Sequence, residues 1–234
     1  MRSRACYRDK NVGQGEVKAK CRIVCLGHED PDLDRLSRSS PTPGRTIEMI
    51  CYQMIVSGLN GELFNTTLKW SAWAGDAQTA FLQGRQKDSE RPLPLYMKAP
   101  KDGLISKTSC WSHELYQILG NVYGLSNAPH LWSEEVSSRL STMGYGRHAF
   151  DPQLFIKRDS QDDPISAILV YVDDFLGLFR EDYDISEVQK LFRWGDLKAF
   201  EPGNPITFKG KELLIETTDE GRYKMSIKLS LIHI

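Results

Sequence analysis

AILVYVDDFLGLF, residues 167–179, is the stretch on which the reading of this chain turns. Two apolar runs, Ala167 to Val172 and Phe175 to Phe179, are separated only by Asp173 and Asp174, the pattern of a β-hairpin. Adjacent carboxylates are a poor choice for a purely structural turn, where Asp-Gly or Asn-Gly meets the backbone requirement with less strain. Their charges repel at close range, and the flanking Ile168, Leu169, Val170, Tyr171, Phe175 and Leu176 lower the local dielectric. A positive partner is therefore expected. Mg2+ suits it, as a hard cation that takes one or two protein carboxylates together with phosphate oxygens. A third carboxylate would let two ions sit roughly 3.5–4 Å apart, one activating a hydroxyl and the other neutralising a leaving pyrophosphate. Asp76, at a predicted strand end, is the best-placed candidate. Asp173-Asp174 also fits a solvated turn and Asp76 also fits a helix N-cap; spacing alone does not join the three.

Upstream of that hairpin, Leu68 to Gly75 carries Trp70, Trp73 and a run of small residues, a strand that delivers Asp76 to a helix over Ala77 to Gln83 closed by Gly84. Ile47, Ile50 and Met54 predict a short helix over Thr46 to Ser57. Trp132, Val136, Leu140 and Met143 recur along one helical face after Pro129. Residues 17–26, VKAKCRIVCL, alternate: Lys18, Lys20 and Arg22 on one side, Val17, Ala19, Cys21, Ile23 and Cys25 on the other, a half-buried strand with a basic face. Tyr96 to Lys98 predicts a short strand ended by Pro100 and Gly103, and Arg85 to Pro94 a charged loop. Downstream, Asp182 to Trp194 predicts an amphipathic helix, and Ile206 to Phe208 with Leu213 to Glu216 predict terminal hairpins. Strands and helices mixed without βαβ alternation give an α+β fold class with an antiparallel sheet.

The 234 residues, 40% hydrophobic, suffice for one large domain or two lobes. A formal net charge of −1 does not by itself announce a nucleic-acid binder. Its distribution says more, because Met1 to His28 holds seven Lys or Arg against two acids, which suits a phosphate-contacting lobe or a solvated tail. Five cysteines without Cys-x-x-Cys spacing argue against a disulfide framework, and Cys21, Cys25 and His28 lack a fourth ligand for zinc. No apolar stretch reaches the length of about 18 residues that a membrane span needs.

Tyr171-Val172-Asp173-Asp174 between apolar runs, together with DAQTAFLQG at residues 76–84, resembles the catalytic core of copia-type reverse transcriptases. KCRIVCLG at 20–27, YMKAPKDG at 96–103, VYGLSNAPHLW at 122–132 and DPQLFI at 151–156 resemble further segments of that family, in its order. The resemblance spans about residue 18 to residue 216 and implies a right-hand polymerase fold. It divides the chain into an N-terminal flank at 1–15 expected to be disordered, fingers at 16–50 and 85–126, and palm at 51–84 and 127–204. A primer-grip-like hairpin at 205–228 and a truncated end at 229–234 complete it, with the thumb expected to be incomplete or missing.

By that resemblance Asp76, Asp173 and Asp174 are the catalytic, metal-holding triad for two Mg2+ ions, for which Mn2+ can substitute, with Asp174 the least directly coordinated. Phe81 falls where an aromatic ring blocks the 2′-hydroxyl of a ribonucleotide. Lys20 and Arg22 match residues that grip the triphosphate, Asn127 a nucleotide-pocket amide, and Phe208-Lys209-Gly210 the hairpin that holds the primer end. Asn127 is one methylene shorter than the family's Gln, while Leu26 and His130 replace basic residues. The expected activity is RNA-directed DNA polymerisation, or, in the alternative, nucleic-acid binding by an inactive retroelement remnant. The implied partners are an RNA or DNA template with primer, deoxynucleoside triphosphates, and the RNase H and integrase parts of a parent polyprotein, with no membrane. Localisation in a cytoplasmic particle and the nucleus follows from the resemblance alone.

Overall fold

The computed structural model describes residues 1–9, 11, 15–64, 68–84, 91, 93–101 and 115–229. Two compact units share the chain: the first comprises 1–40 and 80–135, the second 41–79 and 136–234. Most of the loop expected over 85–94, the end of the YMKAPKDG segment, and residues 230–234 of the expected truncated end lie outside the described residues.

The second unit is built on a six-stranded antiparallel sheet. In chain order its strands are β3 (Trp70–Ala77), β6 (Gly146–Arg147), β7 (Leu154–Arg158), β8 (Pro164–Tyr171), β9 (Asp174–Arg180) and β10 (Trp194–Ala199). They lie side by side as β10-β3-β9-β8-β7-β6. The hairpin read from the sequence is β8–β9, with Tyr171 opposite Asp174. Residues Ile165 to Val170 are all buried, so both faces of β8 are covered and its apolar run is continuous, not alternating. β9 makes room for a large side chain of β3. Trp73 stands opposite Gly177 on β9, and a Cβ at Gly177 would come within 2.1 Å of the indole.

Helix α1 (Arg45–Leu59) packs on β3, burying Cys51, Tyr52 and Ile55. A three-stranded sheet, β11 (Ile206–Phe208), β12 (Lys211–Thr217) and β13 (Tyr223–Leu229), adds Phe208, Leu213 and Ile215 to the same core as Trp70, Leu169 and Leu176. Burying such a side chain contributes roughly 1.5–3 kcal/mol.

In the first unit, β1 (Ser3–Asp9) pairs with β2 (Ala19–Cys25) and β4 (Tyr96–Lys98) with β5 (Leu115–Gln117). Cys25, Leu95, Ile118, Leu125 and Ala128 form its core, beside the short helix α2 (Ala80–Gln83) and the start of α3 (Ala128–Thr142).

Three expectations are corrected. Part of the flank at 1–15 is strand β1, in register from Ser3–Cys25 to Asp9–Ala19. Its charged sequence hid it, because backbone pairing and not burial holds the ladder. The sides of β2 do not sort as the alternation implied: Cys21 is exposed and the preceding Val17 is 74% exposed, since a two-stranded ribbon is open on both faces. The helix expected over 182–194 is only α4 (Ser186–Lys190); Trp194 instead opens β10 and packs edge-on against Trp73 and Phe175 at 5.4 and 5.1 Å. Tertiary pairing outweighed the local helical period. Helix α1 lies whole in the second unit, and 80–84 and 127–135 belong to the first.

Candidate active site

Asp76 is the penultimate residue of β3 and Asp174 the first of β9, and the antiparallel register sets them directly opposite each other. Asp173 occupies the two-residue turn between β8 and β9, and its carbonyl accepts a hydrogen bond from Ala77 N–H at 2.7 Å. One carboxylate oxygen from each of the three lies within 4.8 Å of the others. Asp76 and Asp173 are exposed and Asp174 is half-buried, so the cluster opens toward solvent. On the sheet face that Asp76 and Asp174 share, the next pair along the two strands is Ala74 and Leu176, both buried. Gly195 on β10 keeps the flank of Asp76 clear, because a Cβ there would sit 2.7 Å from Asp76 Oδ2.

Two features mark the cluster as costly. Val172, a β-branched residue, has φ 55°, which costs on the order of 1–2 kcal/mol. Burial pushes the Asp174 carboxyl up to about 6, the charges of Asp173 and Asp76 push the same way, and the backbone N–H of Lys209 pulls against them. Three convergent carboxylates fit a divalent cation, and their all-oxygen donor set is the one Mg2+ and Mn2+ prefer.

A second turn reaches this cluster. Lys209-Gly210 joins β11 to β12 with φ of 52° and 68°, the two positive values of a type I′ turn. Lys209 N–H donates to Asp174 Oδ2 at 2.9 Å, its Nζ lies 4.6 Å over the Tyr171 ring, and Phe208 behind it is fully buried. The expected primer-grip residues and the expected triad therefore form one site in the second unit.

The expected nucleotide residues lie in the first unit. Phe81, half-buried on α2, meets the Tyr123 ring edge-on at 6.0 Å, and the Arg22 guanidinium lies 5.3 Å from the same ring centroid. Lys20 is half-buried two residues earlier on β2, opposite Arg8. Asn127 is 1% exposed, just before α3, and its Oδ1 has no hydrogen-bond partner among the described residues.

Residues 2–218 match the family model described as reverse transcriptase (RNA-dependent DNA polymerase). The chain belongs to the reverse transcriptase family. It is of the copia type that the motifs imply. It is 37% identical over 101 residues to a transposon Ty5-1 protein of Saccharomyces cerevisiae, covering 43% of this chain and 30% of that protein. It is also 30% identical over 158 residues to the Pol polyprotein from transposon RE1 of Arabidopsis thaliana, covering 67% of this chain and 9% of the polyprotein. With that from transposon TNT 1-94 of Nicotiana tabacum it shares 27% over 206 residues, 86% of this chain and 14% of the other. The chain thus spans less than a third of these relatives' length. Among solved structures, Candida albicans telomerase in complex with a telomeric RNA fragment aligns with TM-score 0.46 and 12% identity, over 84% of this chain and 35% of that one.

In this member of the family, two residues that sequence reasoning did not single out stand beside the expected ones. Tyr123 lies inside the quoted VYGLSNAPHLW segment, and its ring links Phe81 with Arg22. Glu48 is an acid on an otherwise apolar helix face, and nothing in the sequence distinguishes it from a solvated helix charge. No helix among the described residues is long and apolar enough to cross a membrane.

Proposed function

We propose that this chain is the polymerising part of a copia-type retrotransposon Pol polyprotein and carries out RNA-directed DNA synthesis. The second unit serves as palm and the first as fingers. The observation that carries the reading is the convergence of Asp76, Asp173 and Asp174 on a strained hairpin turn capped by the Lys209 N–H. When bound there, two Mg2+ ions, or Mn2+ in their place, would lower the pKa of an attacking hydroxyl and neutralise the charge that develops on a departing pyrophosphate.

The reaction is attack of a primer 3′-hydroxyl on the α-phosphate of a deoxynucleoside triphosphate, with the new O–P bond replacing the one to pyrophosphate. The chain's own task is positioning. The Lys209-Gly210 hairpin supports the primer end next to the carboxylates. Arg22 and Lys20 supply charge-assisted donors to the triphosphate. Phe81, braced by Tyr123, presents an aromatic wall against a 2′-hydroxyl, and the uncommitted Asn127 amide oxygen is available to a hydrogen-bond donor of the nucleotide. Template and primer are held through their backbones, largely independent of sequence.

Primer extension on an RNA template with deoxynucleotides and Mg2+ or Mn2+ tests this reading, comparing the chain with Asp173→Asn. Extension that the substitution abolishes is expected. A folded chain that binds primer–template in a salt-dependent way without extending it would instead be a binding remnant.

A further inference from the structure

We propose that Glu48 is a positioning residue for the metal-holding carboxylates: it anchors the Lys209-Gly210 turn, and through it the Lys209 N–H that orients Asp174. The inference rests on the triad's metal-binding role in the function proposed above. Glu48 lies in the first turn of α1 and is 1% exposed. Both of its oxygens are engaged. Oε1 accepts from Tyr52 Oη at 2.7 Å and from Lys211 Nζ, and Oε2 accepts from Lys209 Nζ at 3.0 Å. One buried carboxylate thus ties down the first residue of the turn and the first residue of β12 just beyond it. Tyr52 adds an edge-on contact with Phe208, on the other side of the turn, at 6.4 Å.

Lys209 needs that restraint. A non-glycine residue at φ 52° persists where its surroundings over-determine it, and Lys209 is held from both ends: its N–H by Asp174 Oδ2, its ammonium by Glu48 and the face of Tyr171. The N–H occupies one oxygen of Asp174, which fixes the rotation of that carboxylate relative to Asp76 and Asp173. Glu48 also has an electrostatic task. It neutralises one of two ammonium groups next to the carboxylate cluster, so that neither swings toward the triad to compete with a cation. Burial would push the Glu48 carboxyl up, yet hydrogen bonds from Lys211, Tyr52 and Lys209 outweigh it and hold the group below its ordinary range, so it stays ionised in this role.

A merely structural ion pair predicts lower stability and nothing else. A positioning role predicts in addition a weaker cation site. Mn2+ binding to the full 234-residue chain, read from the electron paramagnetic resonance of the free ion, separates the two. Glu48→Gln should raise the Mn2+ dissociation constant about tenfold, the usual effect of removing a support behind a metal ligand. Lys209→Met, less disruptive because its side chain is a quarter exposed, should do the same. The two together should be little worse than either, because they act through one contact. Tyr145→Phe, which deletes a 2.7 Å buried hydrogen bond to Ser166 on β8, should lower the melting temperature without changing Mn2+ affinity. Unchanged Mn2+ affinity in both Glu48→Gln and Lys209→Met, or effects that simply add, would overturn the role of Glu48 alone. If Asp173→Asn binds Mn2+ as well as the unaltered chain, the metal reading of the triad falls, and this inference with it.

Discussion

Two tight turns meet at the same carboxylate, and they are held by opposite means. Val172-Asp173 is pinned by the strands on either side and by the Ala77 N–H, while the Asp173 carboxylate is left exposed. Lys209-Gly210 follows a three-residue strand, and a buried Glu48 holds it through side-chain charge. In the first turn the backbone is secured so that charge can remain unneutralised; in the second, neutralised charge secures the backbone. Where a chain exposes repelling groups on a rigid frame, the frame has a use beyond stability.

Substitutions at the two turns should therefore separate function from stability. The largest effect is expected for Asp76→Asn, opposite the first turn: primer extension should fall by roughly a thousandfold, about 4 kcal/mol of barrier, while the urea midpoint stays or rises as repulsion is relieved. An equal loss of stability would erase the contrast. Next comes Glu48→Ala behind the second turn, which strands two ammonium groups and should cost about 3–5 kcal/mol in urea unfolding.

The pH dependence sharpens the same point. The Glu48 carboxyl is held below its ordinary value of 4.5 in the folded chain, so its contribution to stability is fully present above that value and is lost as the pH falls through the lower, folded one. Unfolding midpoints of the unaltered chain and of Glu48→Gln should accordingly stay apart by a constant gap above about pH 4.5 and draw together as the pH falls below it. The smallest effect is expected for Val172→Gly, where release of about 1 kcal/mol of backbone strain is partly offset by the flexibility that glycine adds to the unfolded chain. A net change in melting temperature of more than a few degrees in either direction would show that the turn is held differently.

Sequence and structure agree best where one local pattern carries the whole message. The β8–β9 hairpin is legible because apolar runs on both sides leave the carboxylates nowhere else to be, and α3 is legible because Trp132, Val136 and Leu140 repeat at helical spacing, each buried. β10 misled because Val188, Leu191 and Phe192 do follow a helical period, whereas the partner that claims Trp194 is Trp73, more than a hundred residues earlier. β1 was missed for the opposite reason, having almost no apolar pattern to read. Phe81 and Arg22 were named from separate motifs, but that they share the ring of Tyr123 is a fact of chain folding.

By itself the sequence determined the chemistry available to this protein: three carboxylates at strand ends, an aromatic after the first, a basic strand and a Phe-Lys-Gly turn, since residue type and local period are properties of neighbouring residues. Tertiary structure alone decided which of these meet. Asp76 and Asp174 become opposite partners only through the antiparallel register of β3 and β9. Lys209 reaches Asp174 across 35 positions, and Glu48 reaches Lys209 across 161. Contacts at such separations are set by packing of the shared core, and no local propensity encodes them.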